Sequence, residues 1–195
     1  MSMKSVKIDN ERGVLDYLID MRDLTELIVD LAYSSVLLDD KELAKDVIEL
    51  GKKIDQLRYE IQVKTILSRL PPEEAEGMVA VLNLAEATEQ ISDSARNIAG
   101  IVIKGMKRHP LLKEALTKGE TGIYKEEVKE GAAIIGKRVS ELNIIEATGM
   151  KLIAIKKKDG WQYMPTEAQE IEKGDVLLIT GPSENKKLLE KFFRK

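Results

Sequence analysis

The sequence predicts an α+β protein with two domains, an antiparallel three-helix bundle followed by a small α/β domain. Apolar residues recur at helical spacing through the first 118 of the 195 residues. After Gly119 this spacing gives way to short apolar runs separated by the turn-forming pairs Asp159-Gly160 and Gly174-Asp175. We therefore expect one domain over residues 1–118 and a second over residues 119–195.

The first two helices are predicted from apolar spacing and a start signal between them. The first spans about residues 13–38. Asp39-Asp40 then offers an N-cap, and Glu42 stands three residues after Asp39, as in a capping box. In the second helix the apolar spacing alternates between four and three residues, which is typical of a helix packed along a neighbour. Its predicted buried seam is Leu43, Val47, Leu50, Ile54, Leu57 and Ile61.

The third helix is predicted to begin at Pro71-Pro72 and to extend to about Met106. Proline is tolerated in the first turn of a helix, and the acidic Glu73 and Glu74 complement the positive end of the helix dipole. Three long helices with short connections favour a bundle. The predicted buried seam of this helix is Val81, Leu84, Thr88, Ile91, Ala95, Ile98 and Val102.

The second domain is predicted from alternating strand and turn signals. Asp159-Gly160 is a two-residue hairpin signal, and Gly174-Asp175 marks another turn. Together with apolar periodicity, these signals predict strands over residues 122–130, 150–156 and 176–180, a short helix over 136–142 and a closing helix over 183–193.

Composition excludes several classes of function. The net charge of −3 lacks the basic excess of a nucleic-acid-binding protein, so no nucleic acid polymer is expected as a partner. The absence of cysteine excludes disulfides and thiolate metal sites. With one histidine and no P-loop or Gly-x-Ser-x-Gly motif, we expect no enzymatic activity. The longest stretch without a charged residue is nine residues (77–85), whereas about 18 are needed to cross a bilayer, and a cytoplasmic location is expected.

Residues 122–193 resemble the TrkA C-terminal domain, also called RCK_C. The resemblance is carried by an ordered series: Ile135-Gly136-Lys137, then Val139-Ser140-Glu141-Leu142, then Gly149, then Met164-Pro165, and finally residues 171–181 with Gly174-Asp175 at their centre. The resemblance implies a domain that pairs with a second copy and binds a small ligand between the two subunits. In several members of the family this ligand is a cyclic dinucleotide.

The same resemblance implies the residues that would line the ligand pocket. They are Ile134, Ile135, Arg138 and Pro165. Arg138 would pair with a phosphate through its planar guanidinium.

Residues 10–107 are similar to one three-helix unit of PhoU. The segment 84–99, which contains Glu89, Asp93 and the run Asn97-Ile98-Ala99, resembles one helix of that family. The segment 47–57 resembles its partner helix.

The PhoU resemblance implies a divalent metal site formed by Asp55, Glu89 and Asp93. Helical i, i+4 spacing places Glu89 and Asp93 on one face, where a hard cation can share them. The sequence departs from the family pattern at Gly51, which stands where the first acidic residue of the partner motif is expected.

Together the two resemblances imply a cytoplasmic regulatory subunit of a bacterial or archaeal cation transport system, with potassium as the expected ion. Its expected partners are a second copy of the chain, a small-molecule effector and a membrane transporter or channel, through which it would sit at the membrane periphery. A cyclic dinucleotide or a divalent metal is the expected ligand. The alternative is a PhoU-like metal-binding regulator of phosphate transport.

Overall fold

The computed structural model of the protein describes residues 12–106, 109, 111, 112, 114 and 121–194. The chain divides into two units, Met1–Lys107 and Arg108–Lys195. The predicted domain boundary between residues 118 and 119 lies outside the described residues and stays a prediction. The fold class is confirmed, with helices in the first unit and an antiparallel sheet with helices in the second.

The described part of the first unit is a bundle of three helices. They are α1 (Val14–Leu38), α2 (Lys41–Leu67) and α3 (Pro72–Ile103), and each packs against the other two. The short connections after α1 and α2 make consecutive helices antiparallel, as predicted.

The helix ends follow from local chemistry. Asp40 caps α2, because its side-chain oxygen accepts hydrogen bonds from the backbone N–H groups of Glu42 (2.9 Å) and Leu43 (3.1 Å). The predicted capping box between Asp39 and Glu42 is therefore wrong by one residue. Asp39 instead ends α1 in the left-handed conformation, with φ of 56°.

The predicted seam of α2 is confirmed at every position, since all six residues are at most 8% exposed. The predicted seam of α3 is wrong in its first half, because Leu84 is 58% exposed and Ile91 is 49% exposed. Helix α3 packs instead through small residues, which allow close approach of the helix backbones. Its buried residues are Ala85, Ser92, Ala95, Ala99 and Val102.

The second unit contains, within residues 121–194, a four-stranded antiparallel sheet of strand order β1-β4-β2-β3. Its elements in chain order are β1 (Thr121–Glu127), α4 (Val139–Leu142), α5 (Ile144–Thr148), β2 (Lys151–Lys157), β3 (Gly160–Tyr163), β4 (Val176–Pro182), a 3₁₀ turn (Ser183–Asn185) and α6 (Lys186–Arg194).

One detail of the sheet differs from the prediction. Lys157 pairs with Gly160, so Lys158 and Asp159 form the hairpin loop, one residue earlier than predicted. In β2, the four consecutive residues Leu152, Ile153, Ala154 and Ile155 are all buried. A register shift between Leu152 and Ala154 interrupts the ladder at this point.

A buried ion pair joins the end of β2 to the start of β4. Lys157 Nζ lies 2.9 Å from Asp175 Oδ2, with side-chain exposures of 12% and 5%. The same carboxylate accepts a hydrogen bond of 2.8 Å from the backbone N–H of Glu172. Gly174 adopts φ of 87° beside it, a conformation that favours glycine. This pair fixes the turn that precedes β4.

No helix within the described residues has both the length and the apolar character needed to cross a membrane.

Candidate functional site

The three carboxylates predicted from the PhoU resemblance lie close together. Asp55 comes from α2, and Glu89 and Asp93 come from successive turns of α3. One carboxylate oxygen from each lies within 4.8 Å of the others. We call these three residues the acidic cluster. The structure thus brings together every residue that the sequence predicted for a metal site.

A guanidinium that the sequence analysis missed lies within the acidic cluster. Arg96 donates from Nη1 to Asp55 Oδ2 and from Nη2 to Asp55 Oδ1, both at 3.0 Å. Its Nη2 also donates to Asp93 Oδ1. The i, i+3 spacing of Asp93 and Arg96 was readable from the sequence. The contact with Asp55, 41 residues away, was not.

Gly51 makes room for this arginine. A Cβ atom built on Gly51 would lie 2.5 Å from Arg96 Cδ, 2.9 Å from its Nε and 3.0 Å from its Cγ. The side chain of Arg96 therefore passes directly over the backbone of α2 at Gly51 before it reaches Asp55, one turn further along α2. Glycine at position 51 thus leaves the space that the Arg96 side chain takes.

Two pKa values at the acidic cluster are shifted. The pKa of Glu89 is raised, first by burial and then by the charge of Asp93, with Arg58 opposing the effect. Burial alone would lower the pKa of Arg96, but its hydrogen bonds to Asp55 and Asp93 outweigh burial and raise it. The raised pKa of Arg96 follows from the two carboxylates, Asp55 and Asp93, that accept its hydrogen bonds.

The four residues predicted to bind a ligand lie in different environments. Ile134 is 3% exposed and belongs to the core of the second unit. Ile135 is 38% exposed, Arg138 is exposed and Pro165 is half-buried. The structure therefore leaves Ile135, Arg138 and Pro165 accessible to a ligand.

Backbone hydrogen bonds hold the segment of Arg138 against the segment that follows Pro165. Arg138 and Glu170 form an antiparallel bridge, and the N–H of Val139 donates to the carbonyl of Gln169 at 2.9 Å. The N–H of Arg138 donates to the Glu141 carboxylate at 2.8 Å, which caps α4. No ion pair involving the Arg138 guanidinium occurs among the described residues.

An apolar groove of about 440 Å³ runs between α1 and α3. Leu84 and Ile91, predicted to be buried, line it together with Ile19, which is 41% exposed. Arg22 and Glu26 provide one positive and one negative charge in its lining. We call this feature the α1/α3 groove.

Comparisons with known families cover both units. The chain matches the family model of the PhoU domain over residues 18–102. It matches the family model of the TrkA-C domain over residues 123–194.

Individual relatives are more distant. A phosphate-specific transport system accessory protein PhoU homolog from Zymomonas mobilis is 27% identical over 146 residues, which are 71% of this chain and 55% of that protein. The chain thus spans about half the length of this curated relative.

Two solved structures are also similar to part of the chain. The RCK_C domain dimer of S. agalactiae BusR in complex with c-di-AMP is 26% identical over 37% of this chain and 95% of that chain, with a TM-score of 0.35. The RCK C domain of the potassium transport protein KtrA in complex with cyclic diadenosine monophosphate is 25% identical over 42% of this chain and 93% of that chain, with a TM-score of 0.35.

Proposed function

The chain carries a PhoU domain followed by a TrkA-C domain, and from this premise we propose that it is a regulatory subunit of a cation transport system, with potassium as the transported ion. The C-terminal domain senses a small ligand, and the helical domain passes the signal to a membrane transporter or channel. The observation that carries the proposal is the TrkA-C match, which spans residues 123–194 and therefore nearly the whole second unit.

A cyclic dinucleotide is the ligand that we propose for the C-terminal domain. Ile135, Arg138 and Pro165 are accessible, and Arg138 supplies a planar cation that matches a phosphate. The backbone ladder around Arg138 holds the start of its side chain in a fixed place, which reduces the entropy lost on binding. Ile134, which is a core residue, would act through packing beneath Ile135.

Regulation requires that the ligand distinguish two arrangements of the protein. A ligand shifts an equilibrium only by the difference between its binding free energies for the two states. We propose that the two states are alternative arrangements of two subunits, with the ligand bound where the C-terminal domains meet. This places the sensing site at a subunit boundary.

The α1/α3 groove supports self-association of the helical domain. It exposes Ile19, Leu84 and Ile91 in one place, and exposed apolar side chains grouped in this way favour contact with another surface. Arg22, which also pairs with Asp23, and Glu26 line the same groove, so a two-fold axis that sets residue 22 of one copy against residue 26 of the other would pair unlike charges. We propose a second copy of the chain as the occupant.

The test of ligand sensing is a thermal-shift titration of the full chain with cyclic di-AMP. A ligand selective for the folded state stabilises it by about 2.7 kcal/mol at a hundredfold excess over Kd, so the melting temperature rises. Arg138→Ala should abolish the rise, whereas Lys137→Ala, which removes a charge from the neighbouring exposed residue, should keep it. No shift with any cyclic dinucleotide would contradict the proposal.

The second candidate function is a metal-binding regulator of phosphate transport. The closeness of the three carboxylates in the acidic cluster favours it, and the presence of Arg96 among them opposes it. Metal analysis of the purified protein decides between the two candidate functions. Stoichiometric metal that is lost when Glu89 and Asp93 are both changed to Ala would support this second function.

A further inference from the structure

The acidic cluster already contains a cation, which is part of the chain. We propose that the Arg96 guanidinium occupies the place of a divalent metal ion, so that the helical domain folds and functions without one. The resemblance implies a metal at Asp55, Glu89 and Asp93, and the residues present do not fit it.

The first argument concerns the oxygen atoms. Arg96 engages both carboxylate oxygens of Asp55 at 3.0 Å and one oxygen of Asp93. Mg²⁺ and Ca²⁺ need about six or more oxygen ligands in a shell around the ion. Entry of a metal would require the two-point contact between Arg96 and Asp55 to break first. A bidentate arginine–carboxylate pair is among the stronger polar contacts in proteins.

The second argument concerns Gly51. The PhoU resemblance implies an acidic residue at position 51, where this chain has glycine, and the Cβ of such a residue would meet Arg96 Cδ at 2.5 Å. An acidic side chain at position 51 and the observed path of Arg96 therefore exclude each other. The position that the resemblance assigns to a further metal ligand is thus the position over which the internal cation passes.

The third argument is the position of the arginine between the helices. Arg96 starts on α3, crosses α2 at Gly51 and ends on Asp55, and its side chain is only 22% exposed. It thus links the two helices in the way that a shared metal ion would. The helical domain then needs no metal supply, which leaves ligand sensing to another part of the chain.

The test compares the full chain with its Arg96→Ala variant in EDTA, Mg²⁺ and Mn²⁺, with the melting temperature as the measurement. The wild type should show no metal-dependent shift. Arg96→Ala should melt at a lower temperature in EDTA and should show a saturable rise with Mn²⁺. The added change Asp55→Asn should remove that rise. Lys45→Ala, which removes an exposed cation on α2 that pairs with Glu42 three residues away, serves as the matched control and should show no rise.

If Arg96→Ala does not fold, as judged by circular dichroism, Arg96→Met replaces it, because its unbranched stem still covers Gly51. Two outcomes would overturn the proposal. One is a wild-type protein that Mn²⁺ stabilises through Asp55, and the other is an arginine-free variant that folds and gains no metal response. Neither outcome bears on cyclic dinucleotide binding, so this inference and the proposed function fail separately.

Discussion

Replacing Gly51 by alanine tests how tightly the two helices are joined at this point. In the interior of a helix, alanine is normally more stable than glycine by about 1 kcal/mol. At Gly51 the new methyl group would lie 2.5 Å from Arg96 Cδ. This atom lies in the middle of a side chain whose far end is held by Asp55, so it cannot move aside without weakening that contact.

The expected size of the effect follows from three contributions. Helix propensity favours alanine over glycine at this position by about 1 kcal/mol. Overpacking costs about 1–3 kcal/mol. Loss of the contact between Arg96 and Asp55, whose side chains are 22% and 38% exposed, costs about 1–2 kcal/mol after allowance for solvent screening. The sum is a destabilisation of about 1–4 kcal/mol.

The assay is urea unfolding followed by far-ultraviolet circular dichroism, in which the long helices dominate the signal. The same substitution in an Arg96→Ala background should stabilise the protein by about 1 kcal/mol, because the obstacle is gone. Gly77→Ala is the matched control, since Gly77 lies in α3 and no atom lies within 4 Å of its added Cβ. The reasoning is refuted if Gly51→Ala, with Arg96 present, stabilises the protein as much as Gly77→Ala does.

Three further predictions concern other parts of the molecule. Lys157→Met leaves the buried Asp175 carboxylate without the cation that pairs with it. This change should lower the free energy of unfolding, measured in urea, by about 3–5 kcal/mol, and a loss within experimental error would contradict the prediction. Burial, and then the charge of Glu26, raises the pKa of Asp30, so the folded state disfavours the carboxylate. Asp30→Asn should therefore raise the melting temperature at neutral pH, and this gain should disappear as the pH falls through the raised pKa towards the unfolded value; a gain independent of pH would refute the assignment. The double change Leu84→Glu and Ile91→Glu should convert the dimer to monomers, as measured by light scattering, and should leave the helix content unchanged. An unaltered dimer would exclude the α1/α3 groove as its interface.

Local signals predicted much of the fold from the sequence. The seam of α2 was predicted completely, because α2 contacts both other helices and all six residues of the seam are buried. The start of α3 at Pro72 followed from the restricted backbone of proline. The hairpin loop at Lys158 and Asp159 was misplaced by one residue, since a turn-forming pair marks a hairpin without fixing its register.

The acidic cluster shows where sequence reasoning stops. A motif identified Asp55, Glu89 and Asp93, and the structure brings them together. The same reasoning identified Gly51 as a departure and had no means to explain it. The explanation is the path of Arg96, which joins residues 41 positions apart, and such contacts are specified by helix packing.

The error on α3 has a physical origin that bears on function. Hydrophobic periodicity reports which residues avoid water and does not tell whether the surface that covers them belongs to the same chain. Within the bundle, α3 packs through Ala85, Ala95 and Ala99, whose small side chains bring the helices close together. The larger Leu84 and Ile91 remain in the α1/α3 groove, although their spacing is that of a buried seam. The spacing of Leu84 and Ile91 predicts burial, and the single chain leaves both residues exposed. The two observations agree if a second subunit covers these residues. Leu84 and Ile91 would then be buried like the residues of the α2 seam, but in an assembly of two chains.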